Sequence, residues 1–238
     1  MSDAYAKSVE LYSDGIGRVD YVNHMGDDLT VVNSARVSFG VQKDTLDERD
    51  KKLINYLIRH QHTSTLEHNL ITFSFCVPLF VRSQHHRHRT WSYNEISRRY
   101  TDVNIQFYEP DVFRTQHKSN RQASNAEELI NPPLLQSSEA TCSEVVRAHH
   151  GRSIYLYEQL IEAGVCREQA RGILPQNLYT EYNGTSNLSN LLKFIDLRTH
   201  VGAQWEIQKV AEACLEIATD LFPETVGLIA GLRRKKNE

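Results

Sequence analysis

The chain has 238 residues, 40% hydrophobic and 24% charged, the profile of a globular protein with one or two domains and a full-sized core. No stretch approaches the roughly 20 apolar residues of a membrane helix, the N-terminus lacks the apolar run of a signal peptide, and a formal net charge of −3 argues against a generally basic nucleic-acid coat protein. The charge is nevertheless uneven. Residues 82–100 carry five arginines (Arg82, Arg87, Arg89, Arg98, Arg99) against one acid, Glu95, so this window is +4 and the remainder −7. Six of the eleven histidines lie between His60 and His88. Such concentrated charge suits small anions better than a broad polyanion. Four scattered cysteines without a CxxC pair read as reduced, mostly buried thiols of a cytoplasmic protein.

In chain order, residues 8–22 read as two short strands around the Asp14-Gly15 turn. Asp27 or Asp28 caps a helix to about Val37, and Thr45 or Asp47 caps another to about His60, where Leu53, Ile54, Leu57 and Ile58 recur at helical spacing. After the loop HQHTSTLEH, residues 70–77 alternate and are β-rich. Pro78 opens a helix expected to run to about Arg89. Residues 101–138 are polar, contain Asn131-Pro132-Pro133, and read as a long loop with one short strand near Ile105 to Tyr108; such excursions are usually functional or disordered. A long helix is expected from about Glu139 to Ala163, closed by Gly164, then a short helix over 166–172, a strand over 178–182, and helices over 187–199 and 203–220. Arg233-Arg234-Lys235-Lys236 reads as a solvated tail. No GxGxxG or GxxxxGK[ST] phosphate loop is present.

The chemistry concentrates at Gln84-His85-His86-Arg87-His88-Arg89. On a helix, Arg87, His88 and Arg89 fan over about 200°, so they serve several ligand parts or meet at an interface between chains; a solvated basic helix end is the bland alternative. His85 and His88, with His60, His62 and His68 nearby, invite a metal, but neighbouring arginines oppose a cation and no HExxH occurs. In Ser92 to Tyr100, a carboxylate, an amide and hydroxyls beside guanidiniums suit a polar ring edge and a phosphate. A nucleic-acid-binding module built on the Arg and aromatic segment 82–100 is the alternative class.

The string RHRTWSYNEIS, Arg87 to Ser97, resembles the signature of the flavin-dependent thymidylate synthases. His62 to His68 (HTSTLEH), Ala35 to Phe39 (ARVSF), Asn177 to Thr180 (NLYT) and Ala203 to Ile207 (AQWEI) resemble further segments of that family, in order, over about residues 27–210. The resemblance implies an α/β (α+β) fold with a mixed sheet and helices, one domain over 1–238, and active sites shared between subunits of a homotetramer. It implies methylation of deoxyuridine monophosphate (dUMP) to thymidine monophosphate. Methylenetetrahydrofolate would supply the carbon, and NADPH the electrons through bound FAD. No metal, membrane or nucleic acid is implied.

By motif match, Ser38, Ser64, Glu67, Arg87, His88, Arg89, Asn94 and Asn187 are implied to contact FAD. Gln84, Glu95, Ser97, Arg99, Arg171 and Arg198 are implied to bind the nucleotide. Arg171 is implied to polarise the uracil edge, and His62 to lie near flavin and folate. Several positions depart from the pattern. Arg98 replaces a usual glycine and is expected to add a phosphate contact or force a backbone change. Ser83 stands where arginine is common, with Arg82 one place earlier. Lys193 and Gly202 replace an asparagine and a histidine, which puts two FAD contacts in doubt.

Overall fold

The computed structural model describes residues 6–121, 123–134 and 139–237, the last six by backbone alone. The chain begins with β1 (Ser8–Glu10) and β2 (Arg18–Met25), joined through the expected turn. Helix α1 (Asp28–Arg36) is capped by Asp27 and α2 (Glu48–Arg59) by Asp47, each through a reciprocal capping box. A 3-10 turn over 63–66 leads to β3 (Leu70–Pro78), then α3 (Leu79–His85) and β4 (Ser92–Glu95). Beyond a hairpin of β5 (Phe113–Gln116) and β6 (Ser124–Ile130) lie α4 (Cys142–Glu162), α5 (Arg167–Ala170), β7 (Tyr179–Asn187), α6 (Leu188–Arg198), α7 (Trp205–Leu221) and α8 (Thr225–Asn237).

The main sheet has the order β1-β2-β3-β7-β4. Every pairing in it is antiparallel, which refines the mixed sheet expected within an α+β class. Strand β3 organises the core by alternation: Ile71, Phe73, Phe75 and Val77 are fully buried, and all point to one face. There they meet the apolar stripes of α6 (Leu188, Leu191, Phe194, Ile195) and α7 (Ile207, Val210, Ala211, Cys214, Ile217). On the other face Cys76 packs with Tyr108 and Tyr179.

Five expectations change. Helix α3 stops at His85, not Arg89. His85 is drawn into the core, and successive turns (His88 N–H to His85 O at 2.9 Å, Trp91 N–H to His88 O at 3.3 Å) fold the chain back so that β4 can pair with β7. Strand β7 runs five residues past the expected end, through Asn183-Gly184-Thr185-Ser186-Asn187, a string that reads locally as a turn. Glycine is required within it: a Cβ at Gly184 would lie 2.9 Å from Phe75 Cε2 and 3.3 Å from Trp91 Cε3. The excursion is not structureless. Phe107 and Tyr108 are buried, but Phe107 makes only an isolated bridge to Leu178, and the two-stranded hairpin follows. Of its expected span, residues 122 and 135–138 lie outside the described residues. The C-terminal tail continues as α8 to Asn237, and its basic side chains lie outside the described residues. Among the cysteines only Cys76 and Cys214 are buried; Cys166 is exposed.

Helix α8 is tied back by α1. The Asp28 carboxylate, 4% exposed, accepts the N–H groups of Glu224 and Thr225, each at 2.9 Å, at the start of α8. Removing it leaves two inward-facing donors without partners. Asp28→Ala is therefore expected to lower stability by about 2–3 kcal/mol. Urea denaturation measures the loss, and amide exchange in α8 should accelerate before that in β3.

Candidate active site

Three recesses and the turn after α3 hold about half of the implied residues. The first recess is a cavity of about 500 Å³ where the segment from α3 through β4 faces the connection between α5 and β7; Arg82, Glu95, Ser97, Arg98 and Arg171 line it. Glu95 is fixed from two sides: its Oε1 accepts from Arg82 Nε at 3.0 Å and from Thr180 Oγ1 at 2.7 Å. Its Oε2 has no protein partner among the described residues, so one carboxylate oxygen is available to a ligand. Arg171 is exposed and forms no ion pair among the described residues; its Nε reaches only Glu168 O, at 3.4 Å. Ser97 shapes its own turn, its Oγ accepting the Arg99 N–H at 3.3 Å. No histidine is among the residues lining the cavity.

Arg98 is braced. Its terminal nitrogens donate to Val103 O (2.6 Å) and Asn104 O (3.1 Å), and burial lowers its pKa. Only Nε lacks a partner. The residue is not among those with positive φ, so the position does not need glycine. Arg99 turns away, its guanidinium bonding the Tyr100 hydroxyl at 2.8 Å beside Cys166 and Glu168.

The turn after α3 carries Arg87, His88 and Arg89. They do not fan around a helix as expected, because the helix has ended. The Tyr93 hydroxyl lies 3.0 Å from His85 O and 3.1 Å from His88 O and shares its one proton between them, and Arg198 donates to Gln84 O (3.2 Å), so each of these carbonyls gains a side-chain donor beside the backbone N–H it already accepts. Arg198 Nε also donates to His88 Nε2 at 3.1 Å. An acceptor at Nε2 means a neutral ring with its proton on Nδ1. Burial, then the Arg198 charge, bring the His88 pKa down to about 4. Arg87 and Arg89 are exposed without ion-pair partners among the described residues, and Asn94 is exposed on the edge strand β4. Gln84 is half-buried, its amide nitrogen bonded to Gln204 Oε1.

His62 lines the remaining recess, about 320 Å³, with Leu57, Leu66, Ser189 and Lys193. The buried Ser189 hydroxyl there has no hydrogen-bond partner. Ser64 and Glu67 are exposed on the neighbouring 3-10 turn, and Ser38 is exposed on another 3-10 turn ended by Gly40 at φ +63°. Asn187 is occupied as a helix cap, its Oδ1 accepting the Asn190 N–H at 2.9 Å. Gly202 lies against His200, whose Nδ1 accepts its N–H at 3.0 Å. Among the described residues no cluster of His, Cys, Asp and Glu could hold a metal ion.

The structure thus joins Glu95, Ser97, Arg98 and Arg171, and separately Gln84, His88 and Arg198. It leaves Ser38, Ser64, Glu67, Arg87, Arg89 and Asn94 on exposed surfaces. Arg82 and Thr180 join the site without being implied by the motif match. Arg82 lay inside the charged window and Thr180 inside NLYT, but their common grip on Glu95 exists only once β4 and β7 pair.

Comparison with known proteins agrees over most of the chain. Residues 20–224 match the family model for thymidylate synthase complementing protein. A flavin-dependent thymidylate synthase of Thermus thermophilus is 44% identical over 207 residues, covering 87% of this chain and 73% of that one. One from Thermotoga neapolitana is 39% identical, covering 88% of each. The crystal structure of a UMP/dUMP methylase, PolB, from Streptomyces cacaoi bound with 5-Br dUMP superposes with a TM-score of 0.77. It is 32% identical and covers 94% of this chain and 97% of that one.

The His88 geometry has a pH consequence. Its folded pKa lies below the unfolded value of 6.5, so below that pH the unfolded state binds the extra proton and stability falls as pH drops from about 6.5 toward about 4. Buried His85, also shifted down by burial, adds to the same trend. Ring NMR should find His88 neutral at pH 5.5, and Arg198→Ala should raise its pKa toward the ordinary range.

Proposed function

Because the chain belongs to the family of flavin-dependent thymidylate synthases, we propose that the cavity of about 500 Å³ receives dUMP for reductive methylation to thymidine monophosphate. The observation that carries this reading is the convergence on that cavity of a half-satisfied carboxylate, Glu95, and an unpaired guanidinium, Arg171.

Glu95 Oε2 accepts from an N–H or hydroxyl of the nucleotide, while Arg82 and Thr180 hold the other oxygen and prevent rotation. Arg171 stabilises negative charge that develops on the pyrimidine as the C5–carbon bond forms. Ser97 and the free Nε of Arg98 serve the nucleotide as hydrogen-bond donors, and Arg99, in the recess beside Cys166 and Glu168, adds positive charge for the nucleotide phosphate of a site shared between chains. Ser97 serves as a binding residue, its Oγ already accepting the Arg99 N–H at 3.3 Å. Gln84 and Arg198 do not line that cavity in their own chain; they serve the nucleotide across the subunit boundary of a shared site.

Family membership carries FAD as the cofactor. The residues present fit it: Arg87 and Arg89 are exposed guanidiniums without ion-pair partners among the described residues, suited to a pyrophosphate, and the unpartnered Ser189 hydroxyl beside His62 suits a polar ring or ribose group. Ser38, Ser64, Glu67, His88, Asn94 and Asn187 complete the proposed flavin set, Asn187 through the amide nitrogen its cap leaves free. Bound FAD supplies the hydride, drawn from NADPH, and methylenetetrahydrofolate supplies the carbon. Both co-substrates are anionic and suit the same basic island.

These flavin contacts spread over exposed surfaces, flanked by the apolar side chains Val37 (74% exposed), Phe39 (81%) and Val201 (86%). Their spread supports a homotetramer in which one chain completes another's site. No described helix is long and apolar enough to cross a membrane. Family membership and four scattered cysteines without a CxxC pair support a cytoplasmic enzyme. The nucleic-acid alternative has no support: Arg82 and Arg98 line one recess, Arg99 another, and Arg87 and Arg89 sit on the exposed turn after α3, so the five arginines are divided among three places.

The decisive assay is NADPH oxidation with and without dUMP, followed by detection of thymidylate with methylenetetrahydrofolate. The purified protein should be yellow, absorbing near roughly 450 nm, because FAD carries the redox chemistry; Arg87→Ala should lower the bound flavin. Arg171→Ala should reduce kcat/KM roughly 100-fold, the effect of losing a charged hydrogen bond, with an unchanged thermal melt because the side chain is exposed. Ser97→Ala should keep turnover within about tenfold, as for a lost neutral hydrogen bond. Abolished turnover with intact nucleotide binding would instead make Ser97 the nucleophile.

A further inference from the structure

A chain of polar side chains runs from the hairpin of the excursion to Gln84. Arg114, on β5, pairs with Glu206 Oε1 and lies over the Trp205 ring, 4.9 Å from its centroid. Glu206 is 4% exposed. Its Oε1 also receives the Tyr108 hydroxyl at 3.4 Å, and its Oε2 accepts from Gln204 Nε2 at 2.9 Å. Gln204 Oε1 in turn accepts from Gln84 Nε2.

The direction of this chain is dictated from one end. A carboxylate paired with a guanidinium can only accept. Gln204 must therefore turn its NH₂ to Glu206, which turns its carbonyl to Gln84. Gln84 must answer with its own NH₂, and its Oε1 is left without a protein partner among the described residues. A reversed Gln204 would set carbonyl against carboxylate at 2.9 Å. The ion pair thus fixes a chemical choice two side chains away: Gln84 offers an acceptor.

We propose that Gln204 and Glu206, held by Arg114, are positioning residues that orient Gln84 to accept a hydrogen bond from the nucleotide. The inference rests on the reading that Gln84 faces dUMP. A phosphate dianion cannot supply the donor, so the partner is a donor on the nucleoside, either the sugar 3′-hydroxyl or the uracil N3–H. The excursion then contributes to the site, because it delivers the cation that sets the direction of the chain.

The test is a double-mutant cycle on the holoenzyme, with KM and kcat for dUMP read separately. Gln84→Glu sets a carboxylate against the locked Gln204 carbonyl, and KM should rise at least about tenfold. Glu206→Gln in the same chain frees Gln204 to reverse and donate to the introduced carboxylate. At least a roughly threefold recovery of KM is expected, although Glu206→Gln alone raises it. Additive losses would overturn the proposal, since a merely structural Glu206 gives no rescue. Should Glu206→Gln fail to fold, Gln204→Leu at a half-buried position should raise KM several-fold with kcat within about twofold; an unchanged KM would overturn it. Two analogues separate the donors. Either 2′,3′-dideoxyuridine monophosphate or N3-methyl dUMP should bind more weakly than dUMP to wild type, and Gln84→Leu should erase that one difference. If it erases neither, Gln84 does not accept from the nucleotide. A wild-type enzyme that forms no thymidylate is a separate result, and it would sink the underlying functional reading.

Discussion

The hydrogen bond of 2.8 Å between His85 Nδ1 and the Tyr182 hydroxyl fixes the centre of this molecule. It ties the last turn of α3 to β7 in a fully buried setting, with the rings of Phe75, Trp91 and Phe194 packed 4.6–4.8 Å from the imidazole. Burial keeps that imidazole neutral. Once His85 is inside, α3 cannot continue on its earlier path, because the next turn would carry arginines into the same apolar cage. The chain reverses instead, and the reversal exposes Arg87 and Arg89, half-covers His88, inserts Trp91 over Gly184 and delivers β4 to the edge of β7. The basic turn and the Glu95 cavity are both consequences of one buried ring.

Charge is then sorted by access to water. Guanidiniums with structural work are matched: Arg82 to Glu95, Arg114 to Glu206, Arg98 to loop carbonyls. Those left without ion pairs among the described residues, Arg87, Arg89 and Arg171, are exposed and cost little to maintain until an anion arrives. An acidic chain can hold several anionic ligands in this way, because the Glu95 cavity and the turn after α3 keep unpaired cations and many acids elsewhere are used for capping and bracing. Asp28, Asp47 and Asp50 are examples. Hydrogen bonding from Lys43 and from backbone N–H groups brings the Asp47 pKa down to about 2. Asp50 is buried, which alone would raise its pKa, yet bonds from Lys43 and Arg36 hold it below the usual range.

Much of the fold is legible locally because local physics decides it. The Asp27 and Asp47 caps, the alternation of β3, the long α4 closed by Gly164 at φ +87° and the stripe on α7 are all written within a few residues. Where the reading fails, the deciding contact is remote. Nothing near Asn183 to Asn187 marks a strand; β3 on one side and β4 on the other make it one. The hairpin at 113–130 is polar and weakly patterned, and its anchor, Arg114 on Trp205 and Glu206, lies about ninety positions away in the chain.

The same division holds for function. The sequence by itself determined the family, through RHRTWSYNEIS and four further segments in order, and with it the chemistry, because side-chain type at fixed local spacing is a property of the chain. It also marked the basic window and argued down a metal. The tertiary structure alone decided which of those residues meet. Glu95, Ser97, Arg98 and Arg171 share a cavity, His88 takes its tautomer from Arg198, and Asn187 is half-committed as a cap. These are outcomes of burial and hydrogen-bond satisfaction between segments far apart in the chain, and such constraints leave no periodic trace in sequence.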